Sequence, residues 1–483
     1  MGGGRSGSRP EAAVKHMRGR EYKFIIYELD INMGESMWIE PCNARQGSVD
    51  WTWQFSMSTH TYIRLTCHES SNTADVILFQ TALQSQMASG DSRAPAMMQV
   101  RCLLFLALFL LVATYGGEAQ PLVPGVMTFG DSTVDVGNND YLHTFLKANF
   151  PPYGRDFKNH VATGRFCNGK LATDITAETL GFTNYAPAYL SPQASGKNLL
   201  IGANFASAGS GYYDHTALMY VSIISDHSKE SKSTVLQNLH ESVCMCLTWA
   251  TCVSQHAIPL SQQLQYFKEY QSKLAAVAGS SQARSIITGS LYIISAGASD
   301  FVQNYYINPF LYKTQTAAQF SDRLIGIFSN TVSQLYGMGA RRIGVTSLPP
   351  LGCLPAAITL FGHGSNGCVS RLNSDAQSFN RKMNATVDSL SRRYPDLKIA
   401  VFDIYTPLYD LVTSPASQGF TEGRRGCCGT GTVETTVFLC NPKSIGTCPN
   451  ATTYVFWDAV HPSEAANQVL ADSLITQGLI LVT

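Results

Sequence analysis

"VMTFGDSTVDVGNN", Val126–Asn139, runs from apolar residues through a glycine into a polar turn. Val126–Phe129 reads as a buried strand, because a short apolar run closed by turn residues suits a strand covered on both faces. Gly130 then permits a backbone angle closed to other residues, so the chain turns sharply and a ligand can approach it closely. Ser132 follows at the carboxyl end of this first strand, where it qualifies as a nucleophile. Taken alone, Gly-Asp-Ser is also an ordinary turn or helix cap.

The same rhythm continues along the chain. Leu291–Ser295, Ile343–Thr346 and Ile399–Phe402 read as further buried strands, each with turn or loop residues after it. Helices separate them. In Ser370–Pro395, the residues Leu372, Ala376, Phe379, Met383, Val387 and Leu390 recur at spacings of three and four and so share one face. Ala317–Ala340 behaves likewise and stops at glycines. Alternating strands and helices imply a parallel sheet covered by helices on both faces, with its site beyond the carboxyl ends of the strands. No fixed-period repeat is present.

Composition narrows the partners. The 483 residues carry zero formal net charge and only 14% charged residues, so bulk electrostatics favours no nucleic-acid partner. The 45% apolar content fills a sizeable core. No apolar run reaches the roughly 18 residues of a membrane span, so no transmembrane segment is expected. Oligomeric state is not readable.

A serine nucleophile needs a base and an oxyanion site. His461 lies in "FWDAVHPSEAANQVLADSL", just before a predicted C-terminal helix. Asp458 precedes it by three residues, close enough on one turn to hold the imidazole in a single tautomer. "ANFASAGSG", Ala203–Gly211, is a small-residue turn in which Gly209 offers a backbone N–H; the N–H of Ser132 is a second donor. "YIISAGASDF", Tyr292–Phe301, reads as a strand and a polar turn over Gly297–Asp300, placed to add a side-chain donor.

Thirteen cysteines are unevenly placed. Cys427, Cys428, Cys440 and Cys448 crowd a Gly/Thr/Pro-rich segment, as in disulfide-tied loops of secreted proteins. Cys427 and Cys428 are adjacent and no CxxC pair exists, which argues against zinc. Met97–Ala119 reads as a secretion leader, cleaved before Gln120: Arg101, an apolar Cys102–Ala113, and small residues at Gly117 and Ala119. Residues 1–96 form no recognisable domain, although "YKFIIYELDI" has strand character. They are expected to be a non-native extension from an over-long gene model, with Met97 or Met98 as the working start. Residues 219–255 break the strand–helix pattern with three extra cysteines and no motif.

The blocks "FGDSTVDVGNN", "GANFASAGSG", "SAGASDF" and "FWDAVHPSEAANQVLA", in this order, resemble the GDSL esterase/lipase family, the SGNH hydrolases, in its plant secreted branch. "PPYGRDF", "GRFCNGK", "PPLGCLP" and "GCCGTG" are similar to it as well. The resemblance covers about 120–480 and is interrupted at about 219–255, where it reads the intervening residues as an insertion resembling a retained intron. It implies an α/β fold: a three-layer α/β/α flavodoxin-like SGNH hydrolase domain, 120–483, with a parallel central sheet. It implies Ser132 as nucleophile, His461 as general base, Asp458 as its partner, and Ser132, Gly209 and Ser299 at the oxyanion hole. The family has Asn where this chain has Ser299, a shorter donor.

The resemblance also pairs Cys353 with Cys368, lets Cys427, Cys428, Cys440 and Cys448 supply further disulfides, and leaves Cys167 as the free thiol. Asn384-Ala-Thr and Asn450-Ala-Thr are glycosylation sequons. The expected protein is a secreted, cell-wall carboxylic-ester hydrolase needing no metal or organic cofactor. Its substrate is a small-molecule, lipid or polysaccharide ester. The alternatives are an acyltransferase to a sugar or lipid hydroxyl, and an impaired ester- or glycan-binding protein.

Overall fold

A computed structural model describes residues 121–218, 256–429, 440 and 447–483 in full, and five strands elsewhere by their backbone alone. The chain divides into two units, Met1–Tyr115 and Gly116–Thr483. In the first, Trp51–Met57, Thr61–Cys67 and Ala82–Leu83 form a three-stranded antiparallel sheet. Trp51, Trp53, Phe55 and Met57 alternate with polar residues, which is the period of a strand. "YKFIIYELDI" and the leader lie outside the described residues.

In the second unit five strands build one parallel sheet: β1 (Val126–Gly130), β2 (Gly202–Asn204), β3 (Leu291–Ser295), β4 (Arg342–Thr346) and β5 (Lys398–Phe402). Their order across the sheet is β5-β4-β3-β1-β2, the flavodoxin-like winding. All four strands expected from sequence are present, within a residue at each end.

Helices cover both faces. On the first face, Met127, Phe129, Tyr292, Ile294, Ile343 and Val345 form one core with α2 (Leu260–Ala278), α3 (Ala317–Gly337) and α4 (Ser370–Arg393). The expected stripe of α4, from Leu372 to Leu390, is buried throughout. On the second face, Val126, Leu291, Ile293 and Phe402 meet α1 (Ala172–Thr179) and α5 (Glu464–Val482). Alternate strand residues serve opposite faces, so each strand must be apolar on both. Among the described residues, α5 alone is long and apolar enough to cross a membrane; here it lies on the sheet with Leu470, Leu474 and Leu481 buried.

The fully described chain stops at Leu218 and resumes at His256, and there Ala257 N–H donates to the Ala217 carbonyl at 3.0 Å. Between them Tyr220–Ser222 pairs antiparallel with Cys252–Ser254. Disulfides join Cys353 to Cys368, Cys427 to Cys448 and Cys428 to Cys440, and Cys167 is free and buried.

Candidate active site

Ser132 is set by the way β1 ends. Gly130 has φ 140°, and a Cβ there would collide with the Ser295 carbonyl of β3. The chain is therefore free to turn only with glycine at this position. Asp131 N–H donates to that same carbonyl at 3.0 Å, which fastens the turn to the neighbouring strand. From α2, Gln263 holds both sides of the turn: its Oε1 accepts from Gly130 N–H and its Nε2 donates to Gly130 O, each at 2.9 Å. No protein acceptor for the Ser132 N–H is found among the described residues.

His461 approaches from the loop before α5. Its Nε2 lies 2.7 Å from Ser132 Oγ across 329 residues of sequence, and its Nδ1 lies 2.8 Å from Asp458 Oδ2. Three residues of separation suffice because the loop is tight: Asp458 Oδ1 accepts the N–H groups of Val460 and His461 at 2.9 and 2.8 Å. The ring of Phe166 stands against the imidazole at 5.1 Å between centroids. Asp458 is fully buried, and His461 and Ser132 are exposed by only 4% and 6%, so water has little access to the relay.

The charges follow from these contacts. Burial pushes the Asp458 carboxyl up, but the His461 charge and the hydrogen bonds from His461 and Val460 outweigh it and hold the group below the ordinary range. Asp131, beside Ser132, is raised, because burial outweighs its bonds to Thr133. Burial also keeps the Cys167 thiol neutral, far above its ordinary value, with its sulfur 3.5 Å from the Pro462 carbonyl.

The loop of Gly209 is tied to the Ser132 turn by hydrogen bonds. Ser207 N–H donates to Gly130 O at 3.0 Å, Ala208 N–H to Asp135 Oδ2 at 3.0 Å, and Asn139 Nδ2 to Ala208 O at 2.9 Å. Gly209 itself has φ 85°. Ser299 is buried, and no hydrogen bond of its hydroxyl is found among the described residues. The polar turn expected over Gly297–Asp300 is shorter than expected: Asp300–Tyr305 is a π-helical turn. That wide turn leaves Asp300 buried, where it accepts from Tyr212 and Tyr213 N–H at 2.7 and 3.1 Å and from the Thr216 hydroxyl at 2.6 Å.

Sequence reasoning did not single out Tyr153, Gln263, Asp135 or Asp300. Tyr153 hides in "PPYGRDF" and Asp300 in "SAGASDF", stretches noted only as blocks. Gln263 had no signal at all, since one polar residue on an amphipathic helix is unremarkable.

A flavodoxin-ordered parallel sheet with a serine at the end of its first strand, facing a histidine from the last loop, is the architecture of the SGNH class of serine hydrolases, which act on ester bonds. Residues 126–474 match the GDSL-like lipase/acylhydrolase family, and the chain belongs to it. It is 60% identical over 386 residues to GDSL esterase/lipase APG of Arabidopsis thaliana, covering 79% of this chain and 99% of that one. Two further GDSL esterase/lipases of the same plant are 55% and 52% identical, over 76% and 79% of this chain and 92% and 99% of theirs.

Proposed function

We propose that this protein hydrolyses carboxylic esters through Ser132, His461 and Asp458 by way of an acyl-enzyme. The observation that carries the reading is the unbroken relay from Ser132 Oγ through His461 to the buried Asp458, with bonds of 2.7 and 2.8 Å. His461 Nε2 takes the Ser132 proton as Oγ attacks the ester carbonyl. The N–H groups of Ser132 and Gly209, with the Ser299 hydroxyl, donate to the oxyanion. The tetrahedral intermediate collapses, His461 returns the proton to the leaving alcohol, and the acyl group stays on Ser132. Water, deprotonated by His461, then attacks the acyl-enzyme and releases the acid.

The working enzyme in this reading is residues 120–483, delivered outside the cell by the leader at 97–119. The three disulfides support an oxidising compartment. Residues 1–96 are an extension and 219–255 an insertion. A match that takes in 99% of the relative leaves about a fifth of this chain without a counterpart, and residues 1–96 amount to 96 of 483. The closeness of Ala217 and Ala257 lets the insertion be removed without moving either flank. Asn384 and Asn450 are both exposed, as glycan acceptors must be.

Labelling with a fluorophosphonate tests the chemistry. The folded chain should be labelled at Ser132 and Ser132→Ala should not; a folded chain that never labels, or a variant that still does, sinks the proposal.

A further inference from the structure

A cavity of about 240 Å³ lies on the second face of the sheet, between the strands and helices α1 and α5. Its two ends differ in chemistry. At the carboxyl edge of the strands it is bounded by His461, Asp131, Thr133, Ser295 and Thr346. Several of these polar groups are already engaged with one another. Thr133 Oγ1 meets Asp131 Oδ1 at 2.7 Å and Ser295 Oγ at 3.0 Å, and Thr346 Oγ1 donates to Ser295 Oγ at 3.0 Å.

Away from that edge the wall is mainly apolar, built from Leu291, Ile293, Phe402, Leu180 and Leu474. Of the three threonines that α1 adds, Thr176 and Thr179 donate to the carbonyls of Ala172 and Ile175, and the buried Thr173 hydroxyl has no hydrogen-bond partner among the described residues. Along α5 four of the seven lining residues, Leu470, Leu474, Gly478 and Val482, form one stripe, every fourth residue, with Asn467 at its polar end. That stripe runs about 18 Å at the rise of an α-helix. At the far end Leu122 and Leu479, which also line the cavity, are 63% and 54% exposed.

Native interiors keep few voids larger than one water. An apolar cavity of about 150 Å³ already binds benzene, so this one has room for a larger apolar ligand. It is also drawn out along more than about three turns of helix. A sugar would strand most of its hydroxyls against these walls, where the Thr173 hydroxyl is the one unpaired polar group among the described α1 residues. A linear chain with a single polar end fits both the length and the asymmetry. We infer that the cavity binds one linear acyl chain, its polar end beside His461 and its tail along α5. The ester-hydrolase reading enters only in naming the chain as acyl; the binding itself requires no turnover.

The first measurement is therefore made on full-length Ser132→Ala protein. A fluorescent polyene fatty acid, displaced by dodecanoate, should bind saturably with one site per chain. Gly478→Leu should weaken it by at least about tenfold, the size of effect a mismatch in an apolar pocket produces. A Cβ at Gly478 meets only the Phe402 ring, at 3.4 and 3.5 Å, so the substitution enters the cavity without a backbone clash. Leucine also favours the helix over glycine, so the melting temperature should not fall. Thr176→Leu, from the opposite wall, should weaken binding in the same direction. Absence of saturable binding, or binding that both variants leave within about twofold, overturns the inference.

The second measurement uses protein with Ser132 intact and a series of p-nitrophenyl esters. If the chain is the substrate's own acyl group, Gly478→Leu lowers the ratio of kcat/KM for the dodecanoate ester to that for the acetate ester by at least about tenfold. If fatty-acid binding weakens but the ester profile keeps its shape, the site holds a separate lipid. If no ester is turned over, the hydrolase reading fails while the binding result still stands or falls by itself.

Discussion

The Tyr153 hydroxyl donates a hydrogen bond of 2.9 Å to Asp458 Oδ2 across 305 residues of sequence. Both groups are buried, and Tyr153 packs edge-on against Phe166 and Trp457. Burial, with the Asp458 charge beside it, holds the phenol far above its ordinary pKa, so it remains a donor throughout the physiological range. Each Asp458 oxygen is thus occupied: Oδ1 by two backbone N–H groups, Oδ2 by Tyr153 and the His461 ring.

Tyr153→Phe removes that donor while keeping the ring. Leaving a buried carboxylate oxygen one bond short should cost about 1–3 kcal/mol of stability, read by chemical denaturation. Because the carboxylate orients His461, kcat should also fall with KM little changed. A stability loss with full kcat would reduce Tyr153 to scaffolding.

Asp458→Asn preserves shape but replaces the acceptor that fixes the His461 tautomer. Turnover should drop by about 10⁴, as tautomer reversal does in serine proteases. Circular dichroism should report an intact fold, and fluorophosphonate labelling of Ser132 should slow in parallel. Labelling at the wild-type rate would remove Asp458 from the mechanism.

At position 299 a longer donor should help. Ser299→Asn is expected to raise esterase kcat, with a ceiling of about 1,000-fold, since one oxyanion donor is worth about 100- to 1,000-fold. Ser299→Ala should lower it. If neither variant moves kcat, residue 299 does not meet the oxyanion.

Asp300 carries a pH dependence whose sign is fixed. Burial is the largest influence and pushes its carboxyl up to about 7, against an ordinary value of 3.8. The folded state therefore holds a proton that the unfolded chain releases between those two values. The stabilisation is complete below about pH 4 and is lost as pH rises towards about 7. Asp300→Asn keeps the carbonyl acceptor without ionising, so the decline of melting temperature across that window should flatten. An unchanged slope would place the titration elsewhere.

Local chemistry made much of this legible in advance. Four of the five strands of the central sheet were found because a buried parallel strand is apolar on both faces and closes on turn residues; Gly202–Asn204, three residues long, was read as part of a turn. The buried stripe of α4 was found because its period is that of a helix. Ser132, Asp458 and His461 stood out because each lies in a turn beside a recognisable element. The strands at Trp51–Met57 and Thr61–Cys67 were missed although their alternation was there to be read.

What the sequence determined by itself is what depends on neighbours within a turn or two: strand and helix positions, the glycine bend at Gly130, and the Asp458–His461 spacing. Only the tertiary structure decided which distant segments meet. It brought His461 to Ser132, Tyr153 to Asp458 and Gln263 to Gly130, chose partners among Cys427, Cys428, Cys440 and Cys448, and left the cavity between α1 and α5. Those outcomes come from packing two faces of one sheet at once. No local periodicity records them, because each depends on the shape of a partner that the chain supplies far away.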